Sequence, residues 1–281
     1  TLQGEDLFLD GLPARDRDRA IALIREQVRH IDLFVAVSDY YREYMSEYLG
    51  IPRARIRVAP LGVNLRDLEP TSRTRTAGDP FVVGYFARVA PEKSLHVLAE
   101  AYRILRHERG VGPARLEAAG YLAPEHRPYL GRIERQLRSW GLDGEFQYHG
   151  TLDRARKVAF LHGIDVLSVP STYKEPKGLY LLEAMACGVP VVAPQHGAFP
   201  EMLAKTSGGL LVRPDDPGSF ADGLAAIRNH PGQARQMGIN GAAGVEQHYS
   251  VARMADRMME IYSEAATSTV AAIQTPIAKH S

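Results

Sequence analysis

Cysteine is almost absent from these 281 residues: Cys187 stands alone. A lone thiol cannot close an internal disulfide, so the chain is not a crosslinked secreted scaffold, and a reducing, cytoplasmic setting is expected. Excess charge is missing too. With 34 basic and 33 acidic residues the net charge is +1, which leaves no global field for nucleic acid or an anionic membrane and makes any anion binding a local matter. No apolar run approaches the roughly 18 residues of a membrane-spanning helix, and the opening TLQGEDLFLDG lacks the basic and apolar blocks of a signal peptide. There is no G-x-x-x-x-G-K-[ST] and no G-x-G-x-x-G behind a strand, which argues against a phosphate-loop NTPase and a dinucleotide oxidoreductase. No H-E-x-x-H and no cysteine pair suggests a metal. What is present, 45% apolar and 24% charged residues, is ordinary globular composition.

From about residue 80 onward, short apolar runs alternate with helical spacing. FVVGYF (81–86) is a continuous strand-like run, and Leu95, Leu98, Ala99, Tyr102 and Leu105 then recur at helical intervals. LEAAG (116–120), FQYHG (146–150), DVLSVPS (165–171), VPVVAP (189–194) and GGLLV (208–212) repeat the strand pattern. Six strands with little internal alternation predict a parallel sheet buried on both faces, an α/β, Rossmann-like fold with helices on both sides. Ahead of it, Ile21, Ile24, Val28 and Ile31 fall in phase for a helix, followed by a strand LFVAV, a helix capped at Ser38 or Asp39, and a strand IRVAP. An αβαβ fragment cannot enclose a core alone. Residues 1–60 are therefore read as the end of a first domain, 61–80 as a linker and 81–249 as the second domain. A last helix over 250–266 presents Val251, Met254, Met258 and Ile261 on one face, and 267–281 reads as a disordered tail.

In an open parallel sheet, ligands lie beyond the carboxyl ends of the strands. The loop behind FVVGYF places Arg88 and Lys93 ahead of a helix expected to begin near Ser94, a setting that favours phosphate, although two cations on a solvated loop explain it equally well. The loop behind DVLSVPS holds Glu175, and Gly178 and Leu179 then open a helix whose first amides are free to meet an anion. Glu183 falls on the same side of that helix as Leu179, where a carboxylate can accept two ribose hydroxyls. Taken alone, a dipole-favoured carboxylate and a solvated helix glutamate account for both. A third loop, HGTLDRARK, offers backbone groups near Thr151 and Leu152 to a base edge, or simply an N-cap at Asp153. A fourth, HGAFPE, adds Gly197, Phe199 and Glu201 as a wall of the cleft. His96, His107, His126, His149 and His162 are scattered and read as surface or internally satisfied side chains.

Taken in order, DLFVAVSDYYREYM, IRVAPLGVN, VGYFARVAPEKS, FQYHGTLDRARKVAFL, DVLSVPSTYKEPKGLYLLEAMACGVPVVAP and GAFPEML resemble the GT-B glycosyltransferases of family 4, retaining enzymes that use nucleotide-activated sugars. The resemblance runs to about residue 262 and is most specific over 165–201. It implies that Glu175 and Glu183 are the family's E-x7-E pair, the first facing the transferred sugar and the second holding the ribose. Arg88 and Lys93 match the cations that neutralise the pyrophosphate of the departing nucleotide. Lys157 and the backbone at Leu152 match positions beside the base, and the Gly178 and Leu179 amides match the phosphate-facing helix start. Ser94 departs from the family's usual glycine, Lys177 from its usual aromatic residue, and Gln3 from the histidine of many relatives. Most of the first domain, which in the family supplies the acceptor site and a catalytic histidine, is not in the chain. The implied reaction moves a hexose from a nucleoside diphosphate sugar (UDP, GDP or ADP) to a hydroxyl of an unidentified sugar, lipid or small-molecule acceptor, with retention and with no metal or further cofactor. This chain would be the donor-binding half, inactive alone. The alternative is a non-catalytic nucleotide-binding or scaffold module of the same fold; an epimerase or phosphorylase fits the motif order less well.

Overall fold

Two parallel sheets organise the chain in a computed structural model, and each belongs to its own compact unit: a terminal unit of Thr1–Gly62 with the segment from Tyr249 onward, and a central unit of Val63–His248. The structure describes residues 1–71 and 78–274, with 268–274 as backbone alone. Residues 72–77 of the expected linker and 275–281 of the expected tail lie outside the described residues.

The terminal unit begins with helices α1 (Glu5–Asp10) and α2 (Ala14–Val28), then strand β1 (Phe34–Ala36), helix α3 (Asp39–Leu49) and strand β2 (Ile56–Val58). Phe34 pairs with Ile56 and Ala36 with Val58, and Leu2 bridges Ala36, all in parallel. Ser38, two residues beyond β1, caps α3, its Oγ accepting the Tyr41 amide at 3.1 Å, which satisfies one of the orphan donors of the first turn. Ile31, expected on the apolar face of α2, lies beyond the end of that helix and is exposed.

The central unit runs β3 (Phe81–Phe86), α4 (Leu95–His107), β4 (Ala114–Ala119), α5 (Arg127–Ser139), β5 (Phe146–Tyr148), α6 (Arg154–Gly163), β6 (Val166–Ser168), α7 (Leu179–Ala186), β7 (Val191–Pro194), α8 (Phe199–Thr206), β8 (Gly209–Val212), α9 (Pro217–Asn229) and α10 (Pro231–Tyr249). Its six strands lie in the order β5-β4-β3-β6-β7-β8, all parallel. The strand order reverses between β3 and β6, the position at which doubly wound sheets open a crevice for ligands. Buried Val83, Tyr85, Leu98, Tyr102, Leu116 and Phe220 join strands and helices in one core. On α10, glycines 238, 241 and 244 fall at helical spacing and replace side-chain packing by backbone approach. A Cβ at Gly238 would lie 2.1 Å from the Gly188 carbonyl oxygen, and one at Gly244 would lie 2.6 Å from the Thr206 Cα.

The last helix, α11 (Val251–Gln274), returns to the terminal unit. Ile261 is buried with Val35 and Ala59, Arg257 donates to the Val58 carbonyl at 3.1 Å, and Arg57 pairs with Glu264. Helix continues over 267–274, within the stretch expected as a tail. Alanines at 265, 266, 271 and 272 favour it intrinsically.

Candidate functional site

β3 and β6 are neighbours in space although α4, β4, α5, β5 and α6 separate them in the chain, so the loops behind them, 87–94 and 169–178, open at one edge. Behind β3 the backbone tightens into a 3-10 turn over Pro91–Lys93 and passes through Ser94 at φ 56, ψ 42. That left-handed region costs a non-glycine residue about 1–2 kcal/mol, which gives the position its preference for glycine. Ser94 makes no side-chain cap to α4; its Oγ donates to the Pro91 carbonyl at 3.1 Å.

This turn carries Lys93 inward to an ion pair with Glu175, and only 11% and 5% of the two side chains remain exposed. The ammonium also lies 5.5 Å from the ring centre of Tyr180 and 5.9 Å from that of Tyr173, contacts that favour a desolvated cation. Burial pushes the Lys93 ammonium down to about 8, with Arg88 and Lys177 adding to the shift and Glu92 opposing it. A second pair forms where Lys157 on α6 meets Glu183 on α7 at 2.5 Å, each about one-fifth exposed. Arg88 keeps 53% of its side chain exposed and pairs with Glu92 at 3.1 Å.

The candidate charges therefore meet as Lys93 with Glu175 and Lys157 with Glu183, with Arg88 near enough to act on Lys93. Gly178 caps α7 at φ 46 and Leu179 is its first helical residue. Leu152 is half-buried between β5 and α6, and no hydrogen bond or ion pair among the described residues ties it to the other candidates. The alternative role read for its loop is realised: Asp153 caps α6, accepting the Arg156 amide at 2.8 Å. Cys187 is fully buried, and that burial pushes its thiol up to about 12, so it is no nucleophile.

Hydrogen bonds to main-chain carbonyls join three loops. The Glu92 carbonyl, behind β3, accepts the Thr172 amide and the Ser171 hydroxyl, each at 3.1 Å. Behind β7, the Ala198 amide donates to the Glu175 carbonyl at 2.8 Å, and His196 Nε2 donates to the Ser171 carbonyl at 2.9 Å. Gly197 permits this approach. It sits at φ 59, and a Cβ there would lie 2.7 Å from the oxygen and 2.8 Å from the nitrogen of Glu175. Ser171, Tyr173, Tyr180 and His196 carry no spacing signal in the sequence, because their roles arise only when loops far apart in the chain meet. The result is a cleft edge holding two cations and two carboxylates in pairs, able to meet an anion that also carries hydroxyls.

The profile of the family Glycosyl transferases group 1 matches residues 71–243, more than half of the chain. The chain belongs to the group 1 glycosyl transferases. A second profile, Glycosyltransferase Family 4, matches residues 5–67. Among curated relatives, the phosphatidyl-myo-inositol mannosyltransferase of Mycobacterium leprae is 33% identical over 244 residues, 83% of this chain and 59% of that protein. The D-inositol 3-phosphate glycosyltransferase of Nocardia farcinica is 28% identical over 249 residues, 86% of this chain and 54% of that protein. The chain thus spans somewhat over half the length of these two relatives. In fold, this group 1 glycosyl transferase chain matches Anabaena Alr3699/HepE, solved with UDP and glucose, at a TM-score of 0.77 and 22% identity over 90% of this chain and 68% of that one. It matches sucrose-phosphate synthase from Thermosynechococcus elongatus at 0.77 and 24%, over 89% and 62% of the two chains. These are GT-B folds, and this chain's α/β sheet is of that type. Every candidate from Arg88 to Glu183 lies inside the group 1 match and inside the central unit. No helix among the described residues is long and apolar enough to cross a membrane.

Proposed function

We propose that this chain holds the nucleoside diphosphate sugar for a retaining glycosyl transfer. The observation that carries the reading is the meeting of Lys93 and Glu175 behind β3 and β6, with Arg88 beside them and Lys157–Glu183 in the adjoining helices. Family membership supports the class of reaction.

In this reading the diphosphate lies against Arg88, Lys93 and the first amides of α7 at Gly178 and Leu179. An ammonium has three donors, so Lys93 holds Glu175 with one and a phosphate oxygen with another. Two fixed positive charges offset the negative charge that grows on the departing diphosphate. Glu183 accepts the ribose hydroxyls, oriented by Lys157, the base extends toward Leu152, and Glu175 accepts hydroxyls of the sugar. The bond from the anomeric carbon to the diphosphate oxygen breaks, and the acceptor oxygen bonds to that carbon on the same face. The proton of the acceptor hydroxyl leaves on the diphosphate. Turnover is proposed for the full-length protein, and nucleotide binding for the 281 residues themselves.

Calorimetric titration with UDP, GDP and ADP tests this, UDP first because the Anabaena neighbour was solved with it. Saturable binding of one of them is expected, lost or strongly weakened in Arg88→Ala. Glu183→Ala should weaken it by about 1–3 kcal/mol if that carboxylate takes two ribose hydroxyls. Failure of all three to bind would remove the donor-site reading.

A further inference from the structure

We infer that His196, in the turn behind β7, is a positioning residue that sets the Glu175 carboxylate for the transferred sugar. The inference rests on the donor-site reading above and assigns a role to a residue outside the two loops that would touch the donor.

Glu175 sits in an irregular segment, 171–175, so neither a strand ladder nor a helix fixes its position. Its two ends are tethered to one short turn. His196 Nε2 reaches the Ser171 carbonyl at 2.9 Å, and the Ala198 amide reaches the Glu175 carbonyl at 2.8 Å. Between them, Gly197 lets the turn press on the Glu175 backbone. The side-chain contacts of the carboxylate itself define its direction less well. Ser171 Oγ stands 3.5 Å from Glu175 Oε1, with the Tyr173 carbonyl at 2.9 Å and the Glu92 carbonyl at 3.1 Å as closer acceptors for its single proton. Lys93, the remaining partner, is the group that the diphosphate must share. The main chain is what aims the carboxylate, and His196 anchors the start of that segment.

The ring is built for this one bond. A carbonyl oxygen only accepts, so Nε2 carries a proton, and burial holds the ring below its ordinary pKa, so the neutral ring carries none on Nδ1. Nδ1 is buried and without a hydrogen-bond partner. Leaving a buried polar atom unpaired is unfavourable, and an apolar side chain packed against Phe199, whose ring lies 6.1 Å away, would fill the space without that cost. What the imidazole supplies at this position is its Nε2 donor to the Ser171 carbonyl. No hydrogen bond or ion pair among the described residues links His196 to Arg88, Lys93, Lys157 or Glu183; it reaches Lys93 only through Ser171, Glu92 and Glu175, so its effect on the sugar should exceed its effect on the nucleotide.

The test compares the chain with His196→Asn and His196→Gln, titrating each with the nucleoside diphosphate that binds and with its glucose and mannose conjugates. The glutamine amide nitrogen reaches the place of Nε2, whereas that of asparagine reaches only the place of Nδ1. Affinity for the bare diphosphate should change far less than the sugar increment in both variants. The extra affinity conferred by the preferred sugar should drop about tenfold in His196→Asn, as expected for a misplaced contact group, and return in His196→Gln. A sugar increment untouched by asparagine, or one lost equally in glutamine, overturns the inference. So does a parallel fall in diphosphate affinity and melting temperature, which would mark a merely structural role. A parent chain that binds the diphosphate but gains nothing from either sugar overturns it alone; one that binds no diphosphate defeats the donor-site reading as well, and that is seen before any variant is made. Should His196→Asn not fold, ring-nitrogen NMR of the parent chain decides: the His196 signals should shift with the sugar conjugate and not with the bare diphosphate, and equal responses to both refute the role.

Discussion

Lys93 shows how much one residue depends on its turn. Its ammonium is held near a pKa of about 8 chiefly by burial, and a diphosphate binds the charged form. The sign follows: affinity is full below about 8, weakens as pH rises through that value, and declines until the ammonium of the complex itself loses its proton. Titrations begun above the phosphate's own pKa of about 6 should show this fall, and affinity rising with pH would contradict it. The same burial makes the ion pair expensive to break from one side. Lys93→Met leaves Glu175 buried and unpaired and should destabilise the fold by about 3–5 kcal/mol, while the double change with Glu175→Leu should recover most of the loss, both read by urea denaturation. The charges and their order were legible in the sequence as candidates. Their pairing was not, because it follows from a left-handed Ser94 and from β6 lying beside β3. His196 was not legible at all, since nothing in HGAFPE marks the residue before the glycine as a tether.

At the level of elements, the alternation of apolar runs and helical spacing was enough to read the parallel sheet, because strands buried on both faces leave continuous apolar text. Their ends were less legible: the run 165–171 contributes only Val166–Ser168 to the sheet, and the rest is loop. The final helix was read short because its later residues lose the apolar stripe while keeping alanine. In α10, glycines at 238, 241 and 244 argue against helix on propensity, yet they are what let the helix backbone lie against Gly188 and Thr206. Two alanine substitutions separate these effects. Gly232→Ala, where nothing lies within 4 Å of the new Cβ, should leave stability unchanged or raise it by up to about 1 kcal/mol. Gly238→Ala forces a methyl against the Gly188 carbonyl and should lower stability by about 1–3 kcal/mol. Equal responses in denaturation would show that backbone approach is not what the glycines serve.

For the whole molecule, the division into two units places the only tryptophan, Trp140 at the end of α5, in the unit that carries the candidate site. Its ring is half-buried against the core and lies 5.7 Å from the Arg103 guanidinium. Tryptophan fluorescence therefore reports the unfolding of the central unit, and the nucleotide that binds, at a hundred times its Kd, should stabilise that transition by about 2.7 kcal/mol. An unmoved transition at that concentration would place binding elsewhere. The three loops at the cleft are joined largely through main-chain groups: Thr172 to Glu92, Ala198 to Glu175, and the Ser171 carbonyl as an acceptor. A carbonyl oxygen is the same whatever side chain its residue bears. The frame of the cleft can thus stay still while mutation changes the groups that line it, so descendants of this chain could exchange one sugar preference for another without first having to invent a new scaffold.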